Sequence, residues 1–302
     1  MKPLISIVIP TYNRARDLER ALKSVLTQTY PHWEALIIDN HSSDNTTDVV
    51  AGLNEPRAKL FKIHNHGVIA ASRNLGIRHS AGKYIAFLDS DDWWMPQKLK
   101  ESLKYLEQGA DLVYHDLFQA RRENQKFFLR KVSGRALRSP VFADLIRHGN
   151  PMANSGVVVR KCILDAIGGL SEDKNLIAIE DFDAWLRTAK VTEKLNKIPK
   201  TLGYYWAGGG NISNPKRSIQ MLNAFQERYA HELENLTVDG GPWWINYAKA
   251  RAHYLLHEFT CMEENLGRLH WREIPLPITI KIQWMRLITI LFRKPVVQQE
   301  RK

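Results

Sequence analysis

Asp89, Asp91 and Asp92 stand at the end of an apolar run, Tyr84-Ile85-Ala86-Phe87-Leu88. Carboxylates at the carboxyl end of a strand-like run lie where open α/β sheets place their ligands. Along an extended backbone, residues two apart project to one side, so Asp89 and Asp91 can face one bound ion while Ser90 points away. That pair suits a divalent cation carrying phosphates, since Mg2+ takes one or two protein carboxylates and fills its shell with water and phosphate oxygens. The same acids would also make an acidic turn before a helix starting near Pro96, and an isolated Asp-x-Asp is too short to choose between the two. Asp39 ends a second apolar run. It can accept a charge-assisted hydrogen bond from an imide N–H, or satisfy the amides of its own turn. Glu180-Asp181-Phe182-Asp183 opens a helix pattern. A carboxylate there can take a proton from a hydroxyl or complement the helix dipole.

The elements that must position these groups alternate in type. Strands are predicted near Leu4–Ile9, Trp33–Asp39, Lys59–Ile63, Tyr84–Leu88 and Leu112–His115. Between them Asp17–Thr27 sets Leu18, Ala21, Leu22, Val25 and Leu26 at helical spacing, and Thr46–Leu53, Ala70–His79 and Pro96–Glu107 read as further helices. This alternation predicts an α/β fold with a mostly parallel central sheet and flanking helices. Arg121–Ser139 is basic and irregular, equally a strand hairpin or a mobile loop. Ile163–Gly169 reads as a helix stopped by glycine. From about Lys216 onward the pattern is helical, with a break at Asp239–Pro242.

Composition narrows the classes. The chain has 302 residues, 44% hydrophobic and 25% charged, which excludes large-scale disorder and is enough for one large α/β domain plus an appendage. Cys162 and Cys261 are far apart, so neither a disulfide framework nor a cysteine zinc site is expected, and a reducing compartment fits. The apolar run from Leu4 to Ile9 is too short for a secretory leader or a membrane span, so export is not expected. The net charge of +11 suits nucleic acid, an anionic membrane or an anionic substrate. No DNA- or RNA-binding module pattern occurs, so no nucleic-acid partner is expected. Metal-dependent nucleotidyl or phosphoryl transfer is the alternative enzyme class, but Pro10-Thr11-Tyr12-Asn13 is not a Walker-type loop.

Four segments, taken in order and spacing, carry a resemblance: Ile7–Arg14, Ile37–Asp44, Ser72-Arg73-Asn74 leading to Asp89-Ser90-Asp91, and Glu180-Asp181. Together they resemble the family-2 inverting glycosyltransferases of the bacterial surface-polysaccharide type, over roughly residues 4–215. The resemblance implies the glycosyltransferase-A fold, with a catalytic domain over 1–215 (nucleotide half about 1–115, acceptor half about 116–215) and a helical extension over 216–302. It implies transfer of a hexose from a UDP-sugar donor to a sugar hydroxyl of a lipid-linked glycan acceptor, with Mn2+ or Mg2+ as cofactor. Carried over by position, it makes Pro10, Thr11, Tyr12 and Asn13 the loop receiving the base and Asp39 the acceptor for uracil N3–H. Tyr12 would otherwise be core. Arg73 would lie near the base or diphosphate, unless it is a solvated helix residue. Asp89 would face the ribose or metal shell, Ser90 would belong to the nucleotide site, Asp91 would be the direct metal ligand, and Asp181 the catalytic base, with Asp183 the weaker alternative. Many relatives carry a histidine in the segment Tyr205–Ser213, at approximately Gly208, and none occurs in that stretch here. Water, another side chain or the amides of Gly208, Gly209 and Gly210 would then hold the diphosphate.

The segment 278–293 sets a narrow polar stripe of Thr279, Gln283, Arg286, Thr289 and Arg293 against Ile278, Ile282, Trp284, Met285, Leu287, Ile288, Leu291 and Phe292. Basic neighbours and Trp284 suit an anionic membrane surface. The expected location is cytoplasmic, peripheral on the inner face of the membrane. A helix docked on the catalytic domain or on a second subunit would show the same pattern.

Overall fold

The computed structural model describes residues 2–122, 125, 127–209, 214–237 and 241–292. In chain order its elements begin β1 (Ile5–Thr11), α1 (Ala15–Leu26), β2 (Trp33–Asp39), α2 (Thr46–Gly52), β3 (Ala58–Lys62), α3 (Ile69–His79) and β4 (Tyr84–Phe87). They continue with β5 (Trp93–Trp94), α4 (Lys98–Glu107), β6 (Leu112–Ala120), β7 (Lys131–Val132), α5 (Val141–His148), β8 (Val158–Arg160), α6 (Lys161–Ala166), α7 (Glu180–Val191) and β9 (Leu195–Trp206). The remainder is helical: α8 (Pro215–Arg228), α9 (Ala230–Leu236), α10 (Trp243–Leu255), α11 (Phe259–Gly267) and α12 (Leu276–Phe292). Two compact units divide the chain, Met1–Leu145 with Gly149–Ile212, and Ile146–His148 with Ser213–Lys302.

In the first unit, a nine-stranded sheet among the described residues runs β3-β2-β1-β4-β8-β6-β9-β5, with β7 on β6. The long ladders, β1 with β2 and β6 with β9, are parallel; β8, β5 and β7 add short antiparallel ones. Every residue of β1 and β2 is buried, as continuous apolar runs are when helices cover both sheet faces. Helix α1 closes one face through Leu18, Ala21, Leu22 and Val25, which join Ile5, Ile7, Ile9 and Ile37 in one core.

β9 lay outside the sequence prediction, and its composition explains why. Pro199 and Gly203 interrupt it, and the β6–β9 register shifts between His115 and Asp116, pairing Ile198 with His115 and then Thr201 with Asp116. A bulge is where an interior strand tolerates proline. β6 runs five residues beyond the predicted His115, to Ala120, because β9 supplies its partner. Of the two readings of Arg121–Ser139, the hairpin holds for Lys131–Val132, which pairs antiparallel with Phe118 and Leu117.

In the second unit, α10 and α11 pack around Ala250, Met262 and Leu266. Helix α12 adds Ile282 and Met285, with Ile278 at the margin. Thr289, expected on the polar stripe, is buried and donates to the Met285 carbonyl at 2.9 Å. The opposite side leaves Leu276, Ile280, Trp284 and Leu287 exposed. The apolar surface predicted for this helix is therefore split between a packed side and an open one. The side chains of Leu291 and Phe292, like the whole of Arg293, lie outside the described residues. No helix among the described residues is long and apolar enough to cross a membrane.

Candidate active site

The carboxyl ends of β2, β1 and β4 are neighbours, since Thr11 pairs with Asp39 and the Leu88 amide donates to the Val8 carbonyl at 3.1 Å. The loops after these strands are stitched together. Asn13, at φ +50, accepts from the Ser43 amide at 2.8 Å, its own amide donates to Ser42 Oγ at 2.9 Å, and the Ala15 amide donates to Asp44 at 2.9 Å. Pro10 and Thr11 finish β1 in the interior, while Tyr12 is 56% exposed at the rim and so is not a core residue.

Asp39 is fully buried. Its Oδ1 accepts from the Ser42 amide at 2.9 Å and the Ser42 hydroxyl at 2.5 Å, a turn closed on itself. Its Oδ2 has no hydrogen-bond donor and lies 4.0 Å from Lys62 Nζ. A buried carboxylate oxygen without a donor is costly, and a ligand N–H would relieve it. The turn reading of Asp39 accounts for Oδ1, while Oδ2 is left without a donor.

Beyond β4, Ser90 is buried while Asp89 and Asp91 remain partly open, but the segment is a turn and not extended: the Asp92 amide donates to the Asp89 carbonyl at 3.0 Å. Asp92, which the sequence reading gave no role at the site, completes the cluster: it is buried and accepts from the Trp206 amide at 2.8 Å. Burial and the Asp89 charge push Asp91 up to about 6, against the pull of Arg14. Burial, with Asp91 and Asp89 nearby, raises Asp92 well above the usual carboxylate range. Clustered oxygen donors that repel one another gain from a divalent cation, so the residues present fit one. Among the described residues no group of three or more His, Cys, Asp or Glu is arranged to hold a metal. An ion here would rest on Asp91 and Asp89 and complete its shell from phosphate and water.

Arg73 is neither a solvated helix residue nor turned outward to a ligand. It is buried, with Nη1 donating to Glu180 at 2.6 Å and Nη2 to Asp89 at 2.8 Å. Asn154, with its amide oxygen turned to the guanidinium, accepts from Nη2 and Nε at 3.2 Å. Burial works against this charge, but Asp89 and Glu180 hold it above its ordinary value. The next residue, Asn74, fixes α3 in place by donating to the Leu170 carbonyl at 2.9 Å and to Glu172 at 2.8 Å. Ser155 accepts from the Asp89 amide at 3.1 Å, completing the support behind the acid.

Through Arg73 the start of α7 is drawn to the same cluster. Glu180 also accepts from the amide of Ala178 at 2.6 Å, which stabilises a left-handed backbone there, φ +76. Asp181 is half-buried. Burial and the Glu180 charge push it up to about 7, Arg73 opposing. Asp183, by contrast, is fully buried and committed to Arg187 at 2.8 Å, four residues on. That ion pair occupies the carboxylate of Asp183, whereas Asp181 stays partly open.

The room beside Gly208 is taken by a neighbouring side chain. A Cβ at Gly208 would meet the Trp206 indole at 2.1 Å, so Trp206 takes the room a side chain at 208 would need. Gly209 adopts φ +125, and Gly210 lies outside the described residues.

Residues 6–195 match the model of the family described as Glycosyl transferase family 2. The chain belongs to that family. An uncharacterized glycosyltransferase of Rickettsia conorii is 39% identical over 226 residues, 72% of this chain; the alignment takes in 36% of that relative, so the chain spans about a third of its length. An Escherichia coli protein named UDP-Glc:alpha-D-GlcNAc-diphosphoundecaprenol beta-1,3-glucosyltransferase WfaP is 27% identical over 213 residues, 70% of this chain and 81% of the relative. The solved structure of the mannosyltransferase PcManGT from Pyrobaculum calidifontis, in complex with GDP-Man and Mn2+, superposes with a TM-score of 0.61 at 15% identity, covering 96% of this chain and 81% of that one. That likeness is one of fold. This family-2 glycosyltransferase therefore has the expected α/β glycosyltransferase-A architecture, with a helical carboxyl-terminal region.

Residues that sequence reasoning missed are Arg14, Arg20, Asn154, Ser155 and Trp206. Arg14, Asp17 and Arg20 recur at helical i,i+3 spacing, a signal present in the chain. The others meet the site through contacts more than 60 residues apart in sequence, such as Asp89 with Ser155 and Asp92 with Trp206.

Proposed function

We propose that this chain is a metal-dependent, inverting glycosyltransferase that moves a hexose from a UDP-sugar to a sugar hydroxyl of a lipid-linked glycan in surface-polysaccharide assembly. One observation carries this reading. Asp39 with its unpartnered Oδ2 and the Asp89–Asp91 pair follow the carboxyl ends of neighbouring strands, and Arg73 ties the helix start that carries Asp181 to Asp89, as a base, a diphosphate and an acceptor alcohol require. The lipid-linked acceptor is supported by the name of the Escherichia coli relative, and Mn2+ by the ion in the Pyrobaculum complex.

Asp39 Oδ2 accepts from uracil N3–H, and Tyr12 at the rim covers the base. Asp91 and Asp89 would hold a divalent ion, which would supply positive charge to the departing diphosphate. Asp181 accepts the proton of the acceptor hydroxyl as that oxygen attacks the anomeric carbon from the face opposite the diphosphate. Its raised affinity for protons matches that task, since a base titrating near the working pH is both ionised and proton-seeking. The test is nucleotide release from a panel of nucleotide sugars with and without Mn2+. Release that needs no divalent ion, or that favours no uridine donor, defeats the reading.

Asp39→Asn gives a sharper result. The amide oxygen keeps the Ser42 bonds, while the NH2 group now faces uracil N3–H as a second donor. A lost charge-assisted bond of about 1.5–3 kcal/mol corresponds to roughly ten- to hundredfold weaker UDP binding. Cytosine presents an acceptor at N3, so CDP binding rises in the same variant. Calorimetry with both nucleotides checks this; equal losses for both would place Asp39 outside the base site.

The open side of α12 supports a membrane-facing role for the helical unit, at the inner face of the cytoplasmic membrane. Leu276, Ile280, Trp284 and Leu287 repeat at helical spacing, and basic residues continue to Lys302. Trp284→Glu with Leu287→Glu abolishes flotation with anionic liposomes and leaves the far-ultraviolet circular dichroism unchanged. Unaltered flotation, or none in the wild type, removes the membrane role.

A further inference from the structure

Asp91 is gripped from two sides by one helix. Arg14, at the entry to α1, places Nη1 3.5 Å from Asp91 Oδ2 and 3.2 Å from Asp17 Oδ2. Arg20, two turns on, donates to the Asp91 carbonyl at 2.7 Å and to Asp17 Oδ1 at 2.9 Å. Residues three apart share a helix face, so Asp17 bridges the two guanidinium groups.

The two arginines are held differently. Arg20 lies with its guanidinium carbon 4.3 Å from the Trp93 ring centre and 4.9 Å from that of Trp206, in addition to its two hydrogen bonds. Stacking and hydrogen bonds together define one position for it. Arg14 donates to Asp17 Oδ2 at 3.2 Å but reaches Asp91 at a distance longer than a hydrogen bond, and a quarter of its side chain is open to solvent. Its grip is electrostatic, on the same carboxylate that would hold the ion.

We propose that Arg14 is an exchangeable cation: it neutralises Asp91 while no metal is bound, and turns to the donor's diphosphate when a divalent ion takes Asp91. Arg20 is the fixed counterpart, a positioning residue that keeps the Asp91 backbone in place during the exchange. This rests on the reading of the site as one for a nucleoside diphosphate and its metal. Two cations competing for one carboxylate exclude each other, whereas a dianionic diphosphate accepts both. Arg14 therefore opposes the metal alone and assists the metal–nucleotide complex.

Opposite signs make the test specific. Mn2+ alone, UDP with Mn2+, and uridine are titrated calorimetrically into wild type, Arg14→Gln and Arg14→Lys. Arg14→Gln is expected to bind Mn2+ alone several-fold tighter and UDP with Mn2+ at least about tenfold weaker, with uridine affinity unchanged. Arg14→Lys keeps the charge and falls between wild type and Arg14→Gln in both metal titrations. Any other pattern in Arg14→Gln overturns the inference: both affinities tighter, both weaker, neither moved, or uridine weakened as much as UDP. Wild type that binds no UDP at all defeats the proposed function along with it, whereas normal UDP binding without the opposed signs defeats this inference alone.

Discussion

Asp181→Asn lowers kcat by about a hundredfold to ten-thousandfold, the range a positioned general base contributes. The substitution is nearly isosteric, and the amide oxygen can still accept from the Phe182 amide, now bonded at 2.6 Å. Donor KM therefore stays close to wild type. Two further readouts separate a lost base from a damaged fold. The wild-type rate climbs as pH rises through about 7, because the carboxyl group must ionise to accept a proton, and the variant loses that limb. Stability moves the other way. The folded-state carboxyl group holds its proton up to about 7, whereas the unfolded chain releases it near an ordinary value of about 3.9. The wild type thus incurs no penalty below about pH 4, a growing one as pH approaches 7, and the full one above. Asp181→Asn, which carries no charge, is more heat-stable than wild type at pH 8, and the gain disappears on acidification. A variant that retains wild-type turnover and the pH limb would assign the base elsewhere.

Asp91→Ala removes the carboxylate expected to bear directly on the ion. A unit charge pair at about 4 Å and an effective dielectric of about 20 is worth about 4 kcal/mol, so kcat/KM falls on the order of a thousandfold. Folding is spared: Arg20 donates to the Asp91 backbone carbonyl, which alanine retains. Thermal shift assays distinguish the two effects. Wild type gains melting temperature from Mn2+ with UDP, and Asp91→Ala starts at a similar melting temperature but gains little. If Mn2+ and UDP protect the variant as fully as the wild type, Asp91 is not the ligand. Asp89→Ala has a different character, because it also strips a partner from buried Arg73 and so loses stability.

The strands that end at the site were legible because each is a continuous apolar run bounded by polar turns. Trp33–Asp39 has the same limits in sequence and structure. Continuous burial on both faces leaves a strong one-dimensional trace. β9 leaves none: its proline and glycine are accommodated by a bulge against β6, and only the partner strand makes that backbone favourable. The helix α12 divides the same way. Its periodicity marked an amphipathic element, but which residues are covered depended on α10 and α11.

At the site, the chain alone marked the chemistry-bearing acids, because their place after apolar runs and at a helix start is local information. Their division of labour was not local. Which of Asp181 and Asp183 is tied up in an ion pair turned on Arg187 pairing with Asp183, and the charge beside Asp181 on Arg73 joining Glu180 to Asp89. That an indole two residues earlier folds over Gly208 was likewise not local information. Residue type and spacing therefore determined which groups could react, since both are set by covalent connectivity. Only tertiary packing decided how buried each one is and which charge stands beside it, and those two quantities govern a carboxylate's protonation and its use.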